Sequence, residues 1–343
     1  MVTQKDVAEL AGVSFITVSR VINGETNVKE ETRKKVQAAI DQLGYAPSFA
    51  GQILNSGRCN TLAVLTPIPF TQSIRTFYLT NVIYGIEECC RKNKIDLLMG
   101  YAPEAGTDSS YDYLRPYRQK KVDGIIYLGM RQIPEEMLHE LKLRKLPCVV
   151  IGDRPESDLI SWVDTNNFDA GYSCVKEIWA KGHRKIAFLG LKKEIFNANI
   201  ADREAGLKKA LSELGADYNP EDYIIRSDFE APDLADEVYN RFNSLEEKPT
   251  ALFCCADVCV PEAVKGIKKA GLRVPEDVSI VGFDGFINST FYELNVATNY
   301  QPLTKMGETA AEILLEKINN PDSKKENVIM DVDFIPGDSL IQR

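Results

Sequence analysis

From Asn60 onward the chain alternates short apolar runs with amphipathic helical stretches, and it does so in two tandem series. The first series reads LAVLTP, a helix near 77–93, IDLLMG, a helix near 108–120, VDGIIYL and PCVVIGD. The second starts near Ser161, with a helix over 168–181, KIAFLGL, a helix over 202–214, DYIIR, a helix over 232–244, TALFCC, a helix over 260–270 and VSIVGFD. Apolar runs of this length between helices mark strands buried on both faces, as in parallel sheets joined by crossover helices. Two series therefore predict two α/β lobes, with ligand sites beyond the C-terminal ends of the strands. Residues 296–343 add a helix around 305–318 and a last strand near 328–335.

The first 46 residues carry no strand signal. Thr3 is a good N-cap, with Asp6 at the positive end of a helix that runs to about Ala11. Gly12 suits a tight turn, Ser14 caps a second helix through about Ile22, and Asn23-Gly24 is a turn pair. A third helix over about 30–43 lines up Val36, Ile40 and Leu43, and Gly44 ends it. Within DVAELAGVSFITVSRVING, Val7, Leu10, Val13, Val18, Val21 and Ile22 supply a small core for two crossed helices. Phe15, Ile16, Thr17, Ser19 and Arg20 are left on the outer face of the second helix. This is a helix-turn-helix, whose second helix enters the DNA major groove. A plain helical hairpin at a domain edge would not explain two large apolar residues exposed at a helix start. SFAGQILNSGR after Pro47 reads as a linker with weak helical potential.

Composition narrows the alternatives. At 343 residues the chain suggests two or three domains, and 44% apolar with 27% charged residues is ordinary for a soluble globular protein. No apolar run is long enough to span a bilayer, and MVTQKDVAEL lacks a signal-peptide pattern, so a cytoplasmic protein is expected. Its eight cysteines then read as reduced thiols. Three of them crowd into CCADVC, but Cys254 and Cys255 are adjacent at a strand end and point to opposite faces, which does not suit a metal clamp. No metal site and no cofactor are expected. The two histidines, His139 and His183, lie near no nucleophile, and neither a G-x-S-x-G nor a Walker-type loop occurs, so an enzyme lacks its parts. Net charge is −9, yet residues 1–58 balance at +1 and the remainder carries −10, so the head can still face a polyanion.

KDVAELAGVSFITVSRVIN, GYAP, VDGIIYL, GHRKIAFLG, ADREAGLKKAL, GLRVPEDVSIVGFD and QPLTKMG follow one another in the order of a known set of motifs. Over essentially its whole length the sequence resembles the lactose/galactose repressor (LacI/GalR) family. The resemblance implies a dimeric repressor that binds operator DNA and is switched by a small molecule, commonly a sugar. It places Phe15, Ile16 and Arg20 at base-reading positions; Arg20 can pair bidentately with guanine, whereas Phe15 and Ile16 can offer only apolar contact. Thr3, Ser14, Thr17, Ser19, Asn23, Asn27, Thr32 and Tyr45 match positions that mostly touch phosphates, which set register. Lys34 and Lys35 read as a solvated helix face. Leu54 matches the hinge leucine that wedges into the minor groove. Gly51-Gln52-Ile53-Leu54 replaces the family's usual Ala-Arg-Ser-Leu, so the hinge helix is expected to depend more on DNA for its order.

For the effector, the resemblance points to Asp153, Arg203 and Asp284 as polar contacts, to Tyr78 as an aromatic face, and to Asp257 beside an Asn position here occupied by Ala256. Asp153 and Arg203 could instead form structural ion pairs at strand ends. Gly337 stands where the family usually has arginine. The expected fold is an all-α helix-turn-helix headpiece plus a two-lobe, periplasmic-binding-protein-like α/β domain. Its expected parts are a headpiece over 1–46, a hinge over 47–58, an N-lobe over 59–161 and 292–320, and a C-lobe over 162–291 and 321–343. The expected partners are double-stranded operator DNA, a carbohydrate-like effector and a second copy of the chain, without a membrane. The chain lacks a C-terminal leucine heptad, which favours a dimer over a tetramer. A two-lobe solute-binding protein and a sugar-modifying enzyme are the alternatives.

Overall fold

The computed structural model describes residues 2–22, 24–46, 57–67, 77–102, 112–129, 133–192, 197–228, 233–285 and 294–343. The chain divides into two compact units, Met1–Cys59 and Asn60–Arg343.

In the first unit, α1 (Gln4–Ala11), α2 (Phe15–Ile22) and α3 (Glu30–Leu43) enclose Val7, Ala8, Val18, Val21, Val36 and Ala39. Thr3 and Asp6 form a capping box at the start of α1, which satisfies two of the free donors of the first turn. The Ser14 hydroxyl accepts from the Thr17 amide at 3.2 Å and caps α2. Leu10, expected in this core, is exposed. The buried face of α1 is centred on Val7, Ala8 and the half-buried Ala11, and at 100° per residue Leu10 falls well to one side of it.

The second unit holds two six-stranded sheets. Sheet one has the order β11-β5-β4-β3-β1-β2, from β1 (Thr61–Thr66), β2 (Asp96–Tyr101), β3 (Gly124–Leu128), β4 (Cys148–Ile151), β5 (Ser161–Thr165) and β11 (Asn327–Met330). Sheet two has the order β12-β10-β9-β8-β6-β7, from β6 (Ile186–Leu191), β7 (Ile224–Ser227), β8 (Ala251–Cys254), β9 (Ser279–Asp284), β10 (Ala297–Tyr300) and β12 (Asp333–Ile335). All pairings are parallel except that of β12 with β10.

Alternation along each strand feeds two layers. Leu62, Val64, Ile126 and Val149 face a core shared with α4 (Phe77–Lys92), whereas Ala63, Leu65, Ile125 and Val150 face one completed by Met137 and Leu141. The second lobe is covered by α7 (Asn167–Ala180), α8 (Ala198–Glu213), α9 (Leu234–Ser244) and α10 (Val260–Lys269), while α11 (Leu303–Asn319) packs on the first. The intervening helices are α5 (Arg115–Arg118) and α6 (Glu135–Arg144). The long helix expected over 108–120 is the single turn α5 among the described residues.

The strands redraw the expected lobes. β5 runs through the 161/162 boundary and belongs wholly to sheet one, and β10, placed with the N-lobe, pairs in sheet two. The single strand expected over 328–335 is two strands, one in each sheet, because the chain crosses between lobes at Asp331-Val332. Gly337 has a steric reason: a Cβ there would lie 2.5 Å from both the Ala297 nitrogen and the Asn295 oxygen, so no arginine fits. His183 is buried and bonded to Thr250 at 2.9 Å and to the Ile341 carbonyl at 3.1 Å, holding the C-terminal segment in place. All eight cysteines are free and buried, and among the described residues no group of three or more His, Cys, Asp or Glu could hold a metal ion. No described helix is long and apolar enough to cross a membrane.

Candidate functional site

Helix α2 turns Val18 and Val21 inward and leaves Phe15 at 49% and Ile16 at 62% exposure. Arg20, on the same side as Ile16 one turn on, reaches Glu25 at 3.6 Å. The Ser14 and Thr17 hydroxyls bond to each other at 2.9 Å. Thr3, Ser14 and Asn27 are exposed, and Thr17, Ser19, Thr32 and Tyr45 are half-buried. Asn23 and Leu54 lie outside the described residues, as does most of the expected hinge.

The second candidate site lies between the lobes of the α/β unit, where strand ends and crossing segments meet the face of α8. Arg203, 5% exposed, donates from Nε to Asn167 at 2.8 Å and from Nη1 to the Cys255 carbonyl. Its guanidinium lies 3.5 Å from the centroid of the Phe283 ring, a cation–π arrangement. Burial disfavours its charge, and Asp284, Tyr78 and Asp164 act in the opposite sense.

Asp284 ends β9 with φ at 120°, a region that side-chain-bearing residues rarely occupy and that is associated with functional sites. Gln301 holds it there, donating to Oδ1 at 2.7 Å, while Thr165 donates to the other end of Gln301 at 2.8 Å. Burial pushes the Asp284 carboxyl up to about 6, against the pull of Arg203 and of the Gln301 bond. Burial, reinforced by Asp164 and Asp284, raises the Tyr78 hydroxyl well above its ordinary range. That hydroxyl packs on Gly152, where a Cβ would lie 2.6 Å away; with φ at 78°, the position needs glycine on both counts.

Asp164, with no exposure, accepts at Oδ1 from the Thr165 amide at 2.8 Å and from Asn199 at 3.0 Å. Its Oδ2 accepts from Arg154 Nε at 2.7 Å. Asn199 also donates to the Gly152 carbonyl at 3.0 Å, so this α8 side chain fastens the second lobe to the first. Asp153 is half-buried, accepts from the Arg154 amide at 2.8 Å, and is raised by burial.

The structure thus brings Tyr78, Arg203 and Asp284 together, with Asp153 beside Asp164. Asp257 is differently employed. Its carboxylate accepts from Thr298 at 2.9 Å and from the Gly285 amide at 2.9 Å, which fixes the turn after Asp284. Sequence reasoning missed Asp164, Asn199, Arg154, Asn167 and Gln301. Asp164 carried a signal, a carboxylate inside the buried run SWVDT. Asn199 was hidden because the helix was expected to begin at 202; it begins at Ala198, capped by Asn197, which puts Asn199 one turn before Arg203 on the same face.

Residues 3–48 match the bacterial regulatory proteins, lacI family, and residues 175–340 match the periplasmic binding protein-like domain. The HTH-type transcriptional repressor PurR of Aliivibrio salmonicida (strain LFI1238) is 36% identical over 321 residues, 93% of each chain. The chain belongs to the LacI family of bacterial regulatory proteins. The solved Lac repressor dimer bound to operator and the anti-inducer ONPF is similar in fold, with a TM-score of 0.84 at 24% identity over 99% of each chain. The transcriptional regulator CelR–cellobiose complex gives 0.73 at 24% identity, covering 99% of this chain and all of that one. This LacI-family protein is a DNA-binding transcriptional repressor with an effector-binding domain; the relatives it matches are repressors, not enzymes.

Proposed function

We propose that this repressor acts in the cytoplasm as a homodimer, each headpiece taking half of a pseudo-palindromic operator and the two-fold axis fixing the half-site spacing. Phe15, Ile16 and Arg20 face base edges, and Thr3, Ser14, Thr17, Ser19, Asn23, Asn27, Thr32 and Tyr45 take phosphates, with Leu54 as the hinge wedge. The effector sits between the lobes against Tyr78, Asp153, Arg203 and Asp284, while Asp257 holds the Gly285 turn behind them. Its class is a polyhydroxy compound, a sugar or sugar derivative, because a guanidinium beside carboxylates pairs with vicinal hydroxyls through two hydrogen bonds each. Effector binding changes the closure of the lobes and thereby operator affinity.

The observation that carries this reading is Arg203, buried on the Phe283 ring and drawn by the neighbouring Asp284, Tyr78 and Asp164. A thermal-shift panel of sugars, sugar phosphates and nucleobases tests it, since a ligand of the folded state raises Tm. A polyhydroxy compound should raise Tm in the wild type and fail to do so in Arg203→Lys. A shift from nucleobases alone would replace the carbohydrate class, and a shift that survives Arg203→Lys would move the site elsewhere.

A further inference from the structure

The N-terminal turn of α2 carries an unusual surface for a helix that faces DNA. Among the described residues of the headpiece, Phe15 and Ile16 are the two most exposed large apolar side chains, and they are neighbours. Beside them the Ser14 and Thr17 hydroxyls bond to each other at 2.9 Å, and the exposed Arg20 lies 3.6 Å from Glu25. A phenyl ring and a branched alkyl group thus stand exposed at the first turn of the helix, with Arg20 one turn further on. Exposed apolar groups rimmed by polar ones mark an interaction surface, and this one is continuous with the DNA-binding face of a LacI-family headpiece.

In the major groove, base edges present ring nitrogens, carbonyl oxygens and amino groups, and a single kind of apolar group, the C5-methyl of thymine. Setting Phe15 or Ile16 against a guanine or cytosine edge would strip water from donors or acceptors and return no hydrogen bond. Setting either against a C5-methyl buries apolar surface on both sides.

We infer that Phe15 and Ile16 read C5-methyl groups, so that each operator half-site carries thymine where these side chains land. The recognition is of the methyl itself and not of the base that bears it. Deoxyuridine at such a position is a defect although its pairing is unchanged, and 5-methylcytosine in place of cytosine is a partial gain. The inference rests on the DNA-binding reading of the headpiece and adds the chemistry of two of its contacts.

The test uses the full chain and an operator obtained by selection from a random duplex pool at low salt. Deoxyuridine replaces thymine at one half-site position at a time, in both half-sites, and affinity is read by fluorescence anisotropy. One or two positions should lose about fourfold per methyl and about fifteenfold for the symmetric pair, the worth of one buried methyl group in each. Phe15→Ala and Ile16→Ala should each erase the uridine penalty at its own position. At those positions 5-methylcytosine should bind more tightly than cytosine. Equal binding of thymine and uridine operators by the wild type at every position would overturn the inference while leaving operator binding intact. A penalty that persists in both variants would also overturn it. Failure of the full chain to bind any duplex in a salt-sensitive way would remove the DNA-binding reading as well.

Discussion

Helix α2 leaves a phenyl ring and a branched alkyl group in water, whereas the cleft of the α/β unit takes Arg203, Asp164 and Asp284 out of it. Ordinary folding physics favours the reverse in both places. The apolar pair has no neighbour to satisfy, and costs the free headpiece little beyond exposed area. The buried charges survive because hydrogen bonds and opposite charges hold them, and those partners come from both lobes. On the proposed reading, the apolar surface meets operator DNA, while the buried polar network surrounds the effector.

Substitutions should separate these two economies. The largest effect is expected for Arg203→Met, which leaves Asn167, the Cys255 carbonyl and the Asp284 charge without their partner. A loss of about 3–5 kcal/mol is the usual result of breaking a buried charge cluster, and urea unfolding of the variant would measure it. Asn199→Ala removes two bonds between the lobes and should cost about 1–3 kcal/mol by the same method. A neutral result there would mean that the lobes are held elsewhere.

A third effect is visible in pH. Burial raises the Asp284 carboxyl from 3.8 to about 6, so the folded chain keeps its proton where the unfolded chain has released it. This contribution to stability is fully present below about pH 4 and is lost as pH rises through about 6. His183 acts oppositely: burial lowers it from 6.5, so its contribution is present above pH 6.5 and is lost as pH falls through the lowered value. The difference between wild type and Asp284→Asn across that range isolates the carboxyl, and the wild type should lose stability relative to the variant as pH rises. The smallest effect belongs to the headpiece. Phe15→Ala should change stability by less than about 0.5 kcal/mol, because the side chain is half in water already.

The headpiece was almost fully legible in the sequence because its signals are local. Thr3, Gly12, Ser14 and Gly44 lie where the helices begin and end, and the exposed Phe15, Ile16 and Arg20 of α2 followed from the buried positions, whereas Thr17 and Ser19, read with them, are half-buried. Leu10 failed because a helix of eight residues has a narrow buried face, and apolar character alone does not say which residue sits at its centre. The strands of the α/β unit were legible as buried runs, but their sheet membership was not. β5, β10 and the split between β11 and β12 depend on where the chain crosses between lobes, a property of distant pairings. In the cleft, Arg203, Asp284 and Tyr78 stood out through family resemblance. Asn199 and Gln301 are uncharged amides in ordinary contexts, and their role appears only when a helix start and a crossing segment are known to within one turn.

The contrast between an apolar reading surface and polar positioning groups is tested most directly by operator affinity as a function of salt, for the wild type and for Phe15→Ala/Ile16→Ala together. The double variant should bind more weakly with the same slope of log affinity against log salt, because the phosphate contacts that release counterions are untouched. Unchanged affinity, or a slope shallower by about one or more charges, would contradict it.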